Sequence, residues 1–178
     1  MKIIAVIPAR YAASRFPAKL MQDLGGVPVI VQTYRTVVAT GLFEEVIIAT
    51  DDNRIAQAIQ EEGGQVFISQ KEHNCGSDRI AEAVAISNAD IVVNVQGDEP
   101  FISCKNVDHC IDKHLKNNNS EVFYTTLHEI DNTDEYLKSS ASLKVVLDKY
   151  NNVIYYSRNI IPSNKKHTIN STIKYNTF

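Results

Sequence analysis

The sequence lacks the features that mark a secreted, membrane-spanning or nucleic-acid-binding protein. Its three cysteines are odd in number and have no C-x-x-C spacing, which favours free thiols in a reducing cytoplasm over disulfides or a zinc site. No apolar run approaches the length of a membrane span, and the N-terminus predicts no signal peptide. A net charge of -3 offers no excess of positive charge to nucleic acid or anionic lipid. We expect a cytoplasmic protein without a nucleic-acid or membrane partner.

Two glycine-rich phosphate-binding motifs are also missing. Neither G-x-x-x-x-G-K-[ST] nor G-x-G-x-x-G occurs, which argues against a P-loop and against a dinucleotide fold of the usual kind. The five histidines are scattered, and we expect them to be surface or packing residues. What remains is a chain of 178 residues, 44% apolar and 22% charged, which is enough for one sizeable globular core.

The segment that reads IVVNVQGDEP, residues 91–100, organises the rest of the chain. Its β-branched start is typical of a central strand buried on both faces, and Gly97 and Pro100 then end the strand in a turn. Ligands bind at the carboxyl ends of strands in open α/β sheets, so Asp98 is well placed to hold Mg²⁺ against phosphates. An ordinary acidic turn fits the same pattern, and the sequence leaves both interpretations open.

The loop after the first strand carries positive charge. Between Pro8 and Lys19 lie Arg10, Arg15 and Lys19, together with the hydroxyl of Ser14 and no acidic residue. Arginine binds phosphate oxygens in a bidentate fork and lysine acts as a point charge, so this loop is suited to a polyphosphate. A solvated basic loop is the alternative. We favour phosphate binding because a parallel sheet places this loop at the same edge as Asp98.

Apolar periodicity predicts an alternation of strands and helices in the first two thirds of the chain. Strands are expected at residues 2–7, 46–50 and 65–68, and helices at about 28–40, 53–62, 77–86 and 103–117. This alternation favours a parallel sheet covered by helices on both faces. A further strand at 121–127 and a hairpin formed by 143–148 and 153–158 predict a change to antiparallel structure.

The segment Gly76-Ser77-Asp78-Arg79 predicts a helix N-terminus close to a ligand. Ser77 or Asp78 is expected to cap the helix, and Gly76 allows the backbone to approach a bound group. Arg79 would lie at the unfavourable end of its own helix dipole, which a ligand or a partner acid would explain. The alternative is a capped helix with an exposed arginine.

Five motifs occur together in the order and spacing of one known family. The segments PARYAASRFPAKL, CGSDRIAE, VVNVQGDEP, LKVVLD and YYSRNIIP resemble those of CMP-Kdo synthetase, the 3-deoxy-manno-octulosonate (Kdo) cytidylyltransferase. The resemblance covers nearly the whole chain. It implies a Rossmann-like three-layer α/β nucleotidyltransferase fold over residues 1–178, with a mostly parallel sheet and a small antiparallel dimerisation insertion at about 121–165. It further implies a homodimer that converts CTP and Kdo to CMP-Kdo and diphosphate with Mg²⁺, for lipopolysaccharide synthesis.

The resemblance also implies roles for single residues. By position in the motifs, the nucleotide-binding residues are Ala9, Arg10, Ser14, Arg15, Lys19, Gly76, Ser77 and Arg79. Gln96 and Arg158 resemble contacts to the sugar acid, and Asp98 resembles a ligand of Mg²⁺. The catalytic residues expected on this basis are three: Arg10 and Lys19 bind the triphosphate, and Asp98 binds the metal.

The sequence departs from the family in three places. Ala18 stands where the family usually has glycine, and Leu20 where it usually has proline. The family also continues past residue 178, with a second metal-binding aspartate and further sugar contacts, so we expect a C-terminally incomplete chain. Two alternatives therefore stay open, namely a cytidylyltransferase for another acidic sugar such as 8-amino-Kdo or a sialic acid, and an inactive nucleotide-binding homologue.

Overall fold

The computed structural model describes residues 1–12, 16–116, 139–150 and 152–159, and the backbone of 129–130 and 176–177. The chain divides into two compact units, Met1–His109 and Cys110–Phe178. The first unit contains the α/β alternation and the second an antiparallel sheet. A single domain over the whole chain stays a prediction.

The first unit is built on a four-stranded parallel sheet with the order β3-β2-β1-β4. Its strands are β1 Ile3–Ala9, β2 Glu45–Thr50, β3 Gln65–Ile68 and β4 Ile91–Asn94. β1 extends beyond the predicted residues 2–7, because Pro8 pairs in register with Ala49 and the strand continues one residue further. Proline removes one hydrogen-bond donor, but its fixed φ is compatible with extended backbone.

β1 is buried on both faces because each face belongs to a separate apolar cluster. Ala5, Ile7 and Ala9 pack in a cluster with residues of the helices that follow β1 and β2, while Ile4 and Val6 pack in a second cluster with residues of the helix that follows β3. A fully buried isoleucine side chain stabilises the fold by roughly 1.5–3 kcal/mol. The predicted α/β architecture, with a parallel sheet between helices, is thereby confirmed.

Two of the helix ends are fixed by the local chemistry of a single residue. They are α1 Val29–Ala39, α2 Asn53–Glu61, α3 Gly76–Val84 and α4 Cys104–Leu115, and a short 3₁₀ helix covers Lys19–Met21. Asp52 caps α2 by accepting a hydrogen bond from the backbone N–H of Arg54 at 2.9 Å. Gly41, two residues beyond α1, has φ +66°, the left-handed conformation that glycine adopts readily.

α3 begins earlier than the sequence predicts. Cys75 occupies the N-cap position without a side-chain hydrogen bond, so neither Ser77 nor Asp78 is the cap and both lie in the first turn. The cause is a close approach to β1: a Cβ on Gly76 would lie 3.2 Å from Cγ of Pro8. The helix therefore starts where glycine lets the chain pass the end of β1, and Asp78 still interacts favourably with the helix dipole.

β4 is the outer strand of the described sheet rather than a central one. It pairs with β1, and in the described ranges no strand lies on its other side. Its residues Ile91, Val92 and Val93 are half-buried, so the expectation of full burial on both faces is wrong. Val93 and Val92 nevertheless pack with the two opposite clusters, which explains the unbroken β-branched run.

The second unit contains the predicted hairpin. β6 Lys144–Leu147 pairs antiparallel with β7 Val153–Ser157 in a sheet of order β5-β8-β6-β7, where β5 is Glu129–Ile130 and β8 is Asn176–Thr177. The ammonium of Lys144 is buried and donates to the carbonyls of Ser139, Ser142 and Arg158. Burial lowers the pKa of Lys144, and the charge of Arg158 lowers it further. The predicted strand at 121–127 lies outside the described residues.

None of the helices in the described part of the chain combines the length and the apolar character that crossing a bilayer requires.

Candidate nucleotide-binding site

The loops that carry most of the predicted site residues leave the first unit's sheet at one edge. β1, β2 and β4 are parallel and end at Ala9, Thr50 and Asn94. Ala9 is level with Thr50 in the register, and the loop after β4 continues alongside β1 through a hydrogen bond from the N–H of Val95 to the carbonyl of Val6. This edge is where open α/β sheets bind ligands.

Lys19 and Asp98 meet at this edge. Nζ of Lys19 lies 2.5 Å from Oδ2 of Asp98, although the two residues are 79 positions apart in the sequence. Their side chains are 49% and 40% exposed, so solvent and solutes reach both charges. The structure thus brings together the cation and the carboxylate that the sequence predicts for one site.

The turn that carries Asp98 is held in place by α1. Oγ1 of Thr33 lies 2.9 Å from the carbonyl oxygen of Gly97, and Oγ1 of Thr36 donates to the carbonyl of Pro100 at 2.8 Å. A Cβ on Gly97 would lie 3.1 Å from the carbonyl oxygen of Pro8, so glycine permits this close packing. The sequence reasoning missed both threonines, because hydrogen bonds between distant elements leave no periodic pattern in the sequence.

Arg10 lies in the loop after β1 and keeps its charge available. Its Nη2 donates to the carbonyl oxygen of His73 at 2.7 Å, and the residue is half-buried. Nowhere in the described ranges does a carboxylate lie within ion-pair distance of Arg10. Because its acceptor is a neutral carbonyl, the guanidinium retains a full positive charge for an anionic ligand.

His73 takes part in a hydrogen-bonded network that the sequence did not indicate. Its Nε2 lies 2.6 Å from Oε2 of Glu82, and the hydroxyl of Ser69 donates to the same carboxylate. These hydrogen bonds, from Ser69 first and His73 second, lower the pKa of Glu82 from 4.5 to about 2. The network connects the segment after β3 to α3.

Glu82→Gln is expected to weaken the dependence of stability on acidic pH. Because the folded pKa of about 2 lies below the usual 4.5, ionised Glu82 stabilises the fold above pH 4.5 and loses that effect as the pH falls toward 2. The variant should therefore lose less stability than the parent protein across this interval. Urea denaturation at a series of pH values measures the difference, and parallel curves for the two proteins would contradict it.

Arg79 is buried rather than exposed. Its side chain is 1% exposed, and its Nη2 lies 2.6 Å from Oδ2 of Asp51, which is 42% exposed and follows β2 directly. The interpretation as an exposed arginine is therefore wrong, and a partner acid is present. Nε and Nη1 of Arg79 are buried without a hydrogen-bond partner. Two unsatisfied donors on a buried cation leave capacity for a further acceptor.

Tyr11, next to Arg10, is held by the start of α2. The guanidinium carbon of Arg54 lies 3.2 Å from the centroid of the Tyr11 ring, a cation–π contact. Arg54 also donates to both carboxylate oxygens of Asp52, at 2.9 and 2.6 Å, and this pairing lowers the pKa of Asp52. The cap of α2 therefore also fixes the first residues of the basic loop.

Comparison with known proteins places this chain in a family. Residues 4–178 match the family described as cytidylyltransferase. The chain belongs to the cytidylyltransferase family.

Relatives within this family identify the branch. The 3-deoxy-manno-octulosonate cytidylyltransferase of Flavobacterium johnsoniae is 49% identical over 163 residues, which are 91% of this chain and 66% of the relative. The enzyme of the same name from Christiangramia forsetii is 46% identical and covers 96% of this chain and 69% of its own length. A solved CMP:2-keto-3-deoxy-manno-octonic acid synthetase complexed with CTP has 31% identity and a TM-score of 0.86, over 99% of this chain and 71% of that one. The resemblance to CMP-Kdo synthetases is thereby confirmed. The present chain spans about two thirds of the length of the first two relatives.

Ala18, where the resemblance leads us to expect glycine, has an unusual backbone conformation. Ala18 has φ +54° and ψ +27°, and among the described residues it is the one non-glycine residue with positive φ. A left-handed conformation costs an L-residue about 1–2 kcal/mol because of its Cβ. Lys19 follows directly, so the strain lies next to the site. Leu20, where the resemblance leads us to expect proline, is buried in the core.

Ala18→Gly is expected to stabilise the chain by about 1 kcal/mol. Glycine relieves the Cβ clash at positive φ, while its greater freedom in the unfolded state offsets part of the gain. Urea denaturation at neutral pH measures the change. Ala12→Gly, in an exposed loop position outside the positive-φ region, is the control and should not stabilise. Equal stability of parent and Ala18→Gly would contradict the prediction.

The structure describes only some of the other predicted site residues. Ala9 is fully buried at the end of β1, Ser77 is exposed in the first turn of α3, and exposed Gln96 donates to Oδ1 of Asn94 at 3.0 Å. Arg158 belongs to the second unit, where its Nη1 donates to the carbonyl of Ala141 at 2.7 Å. Ser14 and Arg15 lie outside the described residues. The assigned roles of all these residues stay predictions.

Proposed function

We propose that this chain binds CTP with Mg²⁺ and belongs to an enzyme that converts CTP and Kdo to CMP-Kdo and diphosphate for lipopolysaccharide synthesis. The observation that carries the proposal is the contact between Lys19 and Asp98, 2.5 Å apart at the carboxyl edge of a parallel sheet. A nucleoside triphosphate with its metal offers each of these charges a stronger partner: phosphate oxygens for the ammonium and the cation for the carboxylate.

The Mg²⁺ site in this proposal depends on the nucleotide. In the described ranges no three His, Cys, Asp or Glu residues cluster as ligands for a metal, so Asp98 contributes one carboxylate. This donor set suits Mg²⁺, which requires about six oxygens and usually takes one or two carboxylates together with substrate phosphates and water. The residue that would hold the ion is Asp98, and the ion would neutralise charge on the α-phosphate.

The proposed chemistry is an in-line displacement. The anomeric hydroxyl of Kdo forms a bond to the α-phosphorus of CTP, the bond from this phosphorus to the β-phosphate oxygen breaks, and the hydroxyl proton passes to solvent. Catalysis of this kind depends on positioning and charge neutralisation. Arg10 and Lys19 hold the β- and γ-phosphates, and Gln96 is the proposed contact to the sugar acid within the first unit. The sugar contact of Arg158 is implied by the resemblance alone.

The proposal includes a homodimer in the cytoplasm. The segment at about 121–165 is the proposed dimer contact, and β7 within it exposes Ile154 and Tyr155, 63% and 57% of whose surfaces are accessible. The thiols of Cys75 and Cys104, which form no disulfide, suit a reducing compartment. Sedimentation at micromolar concentration tests the dimer, and a monomer would contradict it.

Two measurements on the chain test the proposed function. CTP with Mg²⁺ should raise the unfolding free energy, by about 2.7 kcal/mol at 100 times the dissociation constant, while ATP with Mg²⁺ serves as the control nucleotide. Diphosphate release on adding Kdo then tests the reaction. If CTP with Mg²⁺ leaves the melting temperature unchanged, the proposal is wrong.

The second candidate function is nucleotide binding without turnover. It stays open because binding the triphosphate needs only the cations Arg10 and Lys19, whereas turnover also needs the metal and the sugar contacts. A melting shift with CTP and no diphosphate from any sugar would support it. Diphosphate release with a sialic acid or 8-amino-Kdo, but not with Kdo, would instead identify a cytidylyltransferase for another acidic sugar.

A further inference from the structure

The guanidinium of Arg10 is oriented by a backbone carbonyl from a distant part of the chain. Nη2 of Arg10 lies 2.7 Å from the carbonyl oxygen of His73, 63 residues further along. This hydrogen bond uses one donor of the guanidinium and fixes the direction of the others. The position of the His73 carbonyl therefore decides where Arg10 presents its charge.

The His73 backbone is in turn held through its own side chain. The ring is 10% exposed, and its Nε2 lies 2.6 Å from Oε2 of Glu82, whose side chain is 18% exposed. A short hydrogen bond to a carboxylate shielded from water is strong and directional. Fixing the ring restrains the Cα of His73, and thereby limits where its carbonyl can lie.

Glu82 is fixed by further hydrogen bonds from the segment between β3 and α3. The Ser69 hydroxyl donates to Oε2, and the N–H of Gln70 lies 3.4 Å from Oε1. Ser69 is itself anchored to β2, because its N–H donates to the carbonyl of Thr50 at 2.8 Å. The carboxylate of Glu82 thus links α3 to the segment after β3, which is anchored to the sheet. Through the ring of His73 it also links these elements to the carbonyl that orients Arg10.

We propose that Glu82 and His73 are positioning residues for the triphosphate: they hold the His73 carbonyl that aims Arg10 at the β- and γ-phosphates. The inference rests on the proposed function, because it takes Arg10 as a phosphate-binding residue. Neither Glu82 nor His73 touches the nucleotide. Their effect is therefore expected on ligands that reach Arg10, and not on ligands that lack the outer phosphates.

The test compares the affinities of the chain for CTP and for CMP, both with Mg²⁺. Glu82→Gln keeps the size of the side chain but replaces the charged acceptor by an amide, and should weaken CTP binding about tenfold while leaving CMP binding unchanged. His73→Gln removes the ring and should show the same selectivity. Glu61→Gln is the control, because Glu61 is an exposed carboxylate at the C-terminal end of α2 that accepts from Gln57 at 2.9 Å.

A double-mutant cycle with Arg10→Ala distinguishes positioning from general damage to the fold. Once Arg10 is absent, Glu82→Gln should cause no further loss of CTP affinity, so the two losses should not add. Additive losses, equal losses for CTP and CMP, or parent-like CTP affinity in both positioning variants would overturn the inference. Failure of the parent chain to bind CTP would instead overturn the proposed function itself, and this inference with it.

Discussion

Asp98→Asn is expected to reverse the effect of Mg²⁺ on CTP binding. In the parent, the carboxylate lies 2.5 Å from the ammonium of Lys19. Without metal, the carboxylate therefore competes with phosphate for this ammonium and also repels the phosphate oxygens. Removing its charge should therefore tighten metal-free CTP binding, by about threefold to tenfold because both side chains are partly exposed and screened. With Mg²⁺ the same variant should bind CTP at least about tenfold more weakly than the parent, since a metal ligand is lost.

Calorimetric titration at constant ionic strength, with Mg²⁺ or with EDTA, measures both effects. Lys19→Ala is the companion variant and should weaken binding in both conditions, because the ammonium meets phosphate whether or not metal is present. Glu61→Gln at the C-terminal end of α2 should change neither. Equal losses with and without Mg²⁺ for Asp98→Asn would remove Asp98 from the metal role.

The fold was predictable where the signal is local. Asp52 before α2 and Gly41 after α1 mark helix ends by their own chemistry, and the structure places the ends there within one or two residues. The start of α3 was not predictable, because it is set by the packing of Gly76 against Pro8 from another strand. The outer position of β4 among the described strands was missed for the same reason, since strand order depends on contacts between distant segments.

The site was predictable as far as topology determines it. Lys19 and Asp98 could be paired across 79 residues because parallel strands bring their carboxyl ends to one edge. The side chains that support the site were missed, because Thr33 and Glu82 act through hydrogen bonds between elements that leave no periodic pattern. Arg79 was the exception, because a cation in the first turn of a helix indicated that an anionic partner is present. The sequence did not indicate that this partner is Asp51.

Asp51→Asn is expected to cause the largest loss of stability among these variants. It leaves the guanidinium of Arg79, 1% exposed, without its carboxylate at 2.6 Å, while two further donors of that group are already unsatisfied. Breaking a buried ion pair from one side typically costs 3–5 kcal/mol, and the 42% exposure of Asp51 reduces the expected loss to about 2–4 kcal/mol. Urea denaturation at neutral pH measures this change.

Two further variants establish that the cost arises from the buried cation. Glu62→Gln breaks a similar pair, with Nε of Arg35 2.8 Å from Glu62, but Arg35 is 46% exposed, so solvent screens the pair and the loss of stability should be much smaller than that of Asp51→Asn. Arg79→Met added to Asp51→Asn should recover most of the stability, because methionine fills the space without a charge that needs a partner. If Asp51→Asn costs no more than Glu62→Gln, Arg79 does not depend on Asp51. Recovery of stability without recovery of CTP affinity in the double variant would support Arg79 as a buried cation kept for the nucleotide.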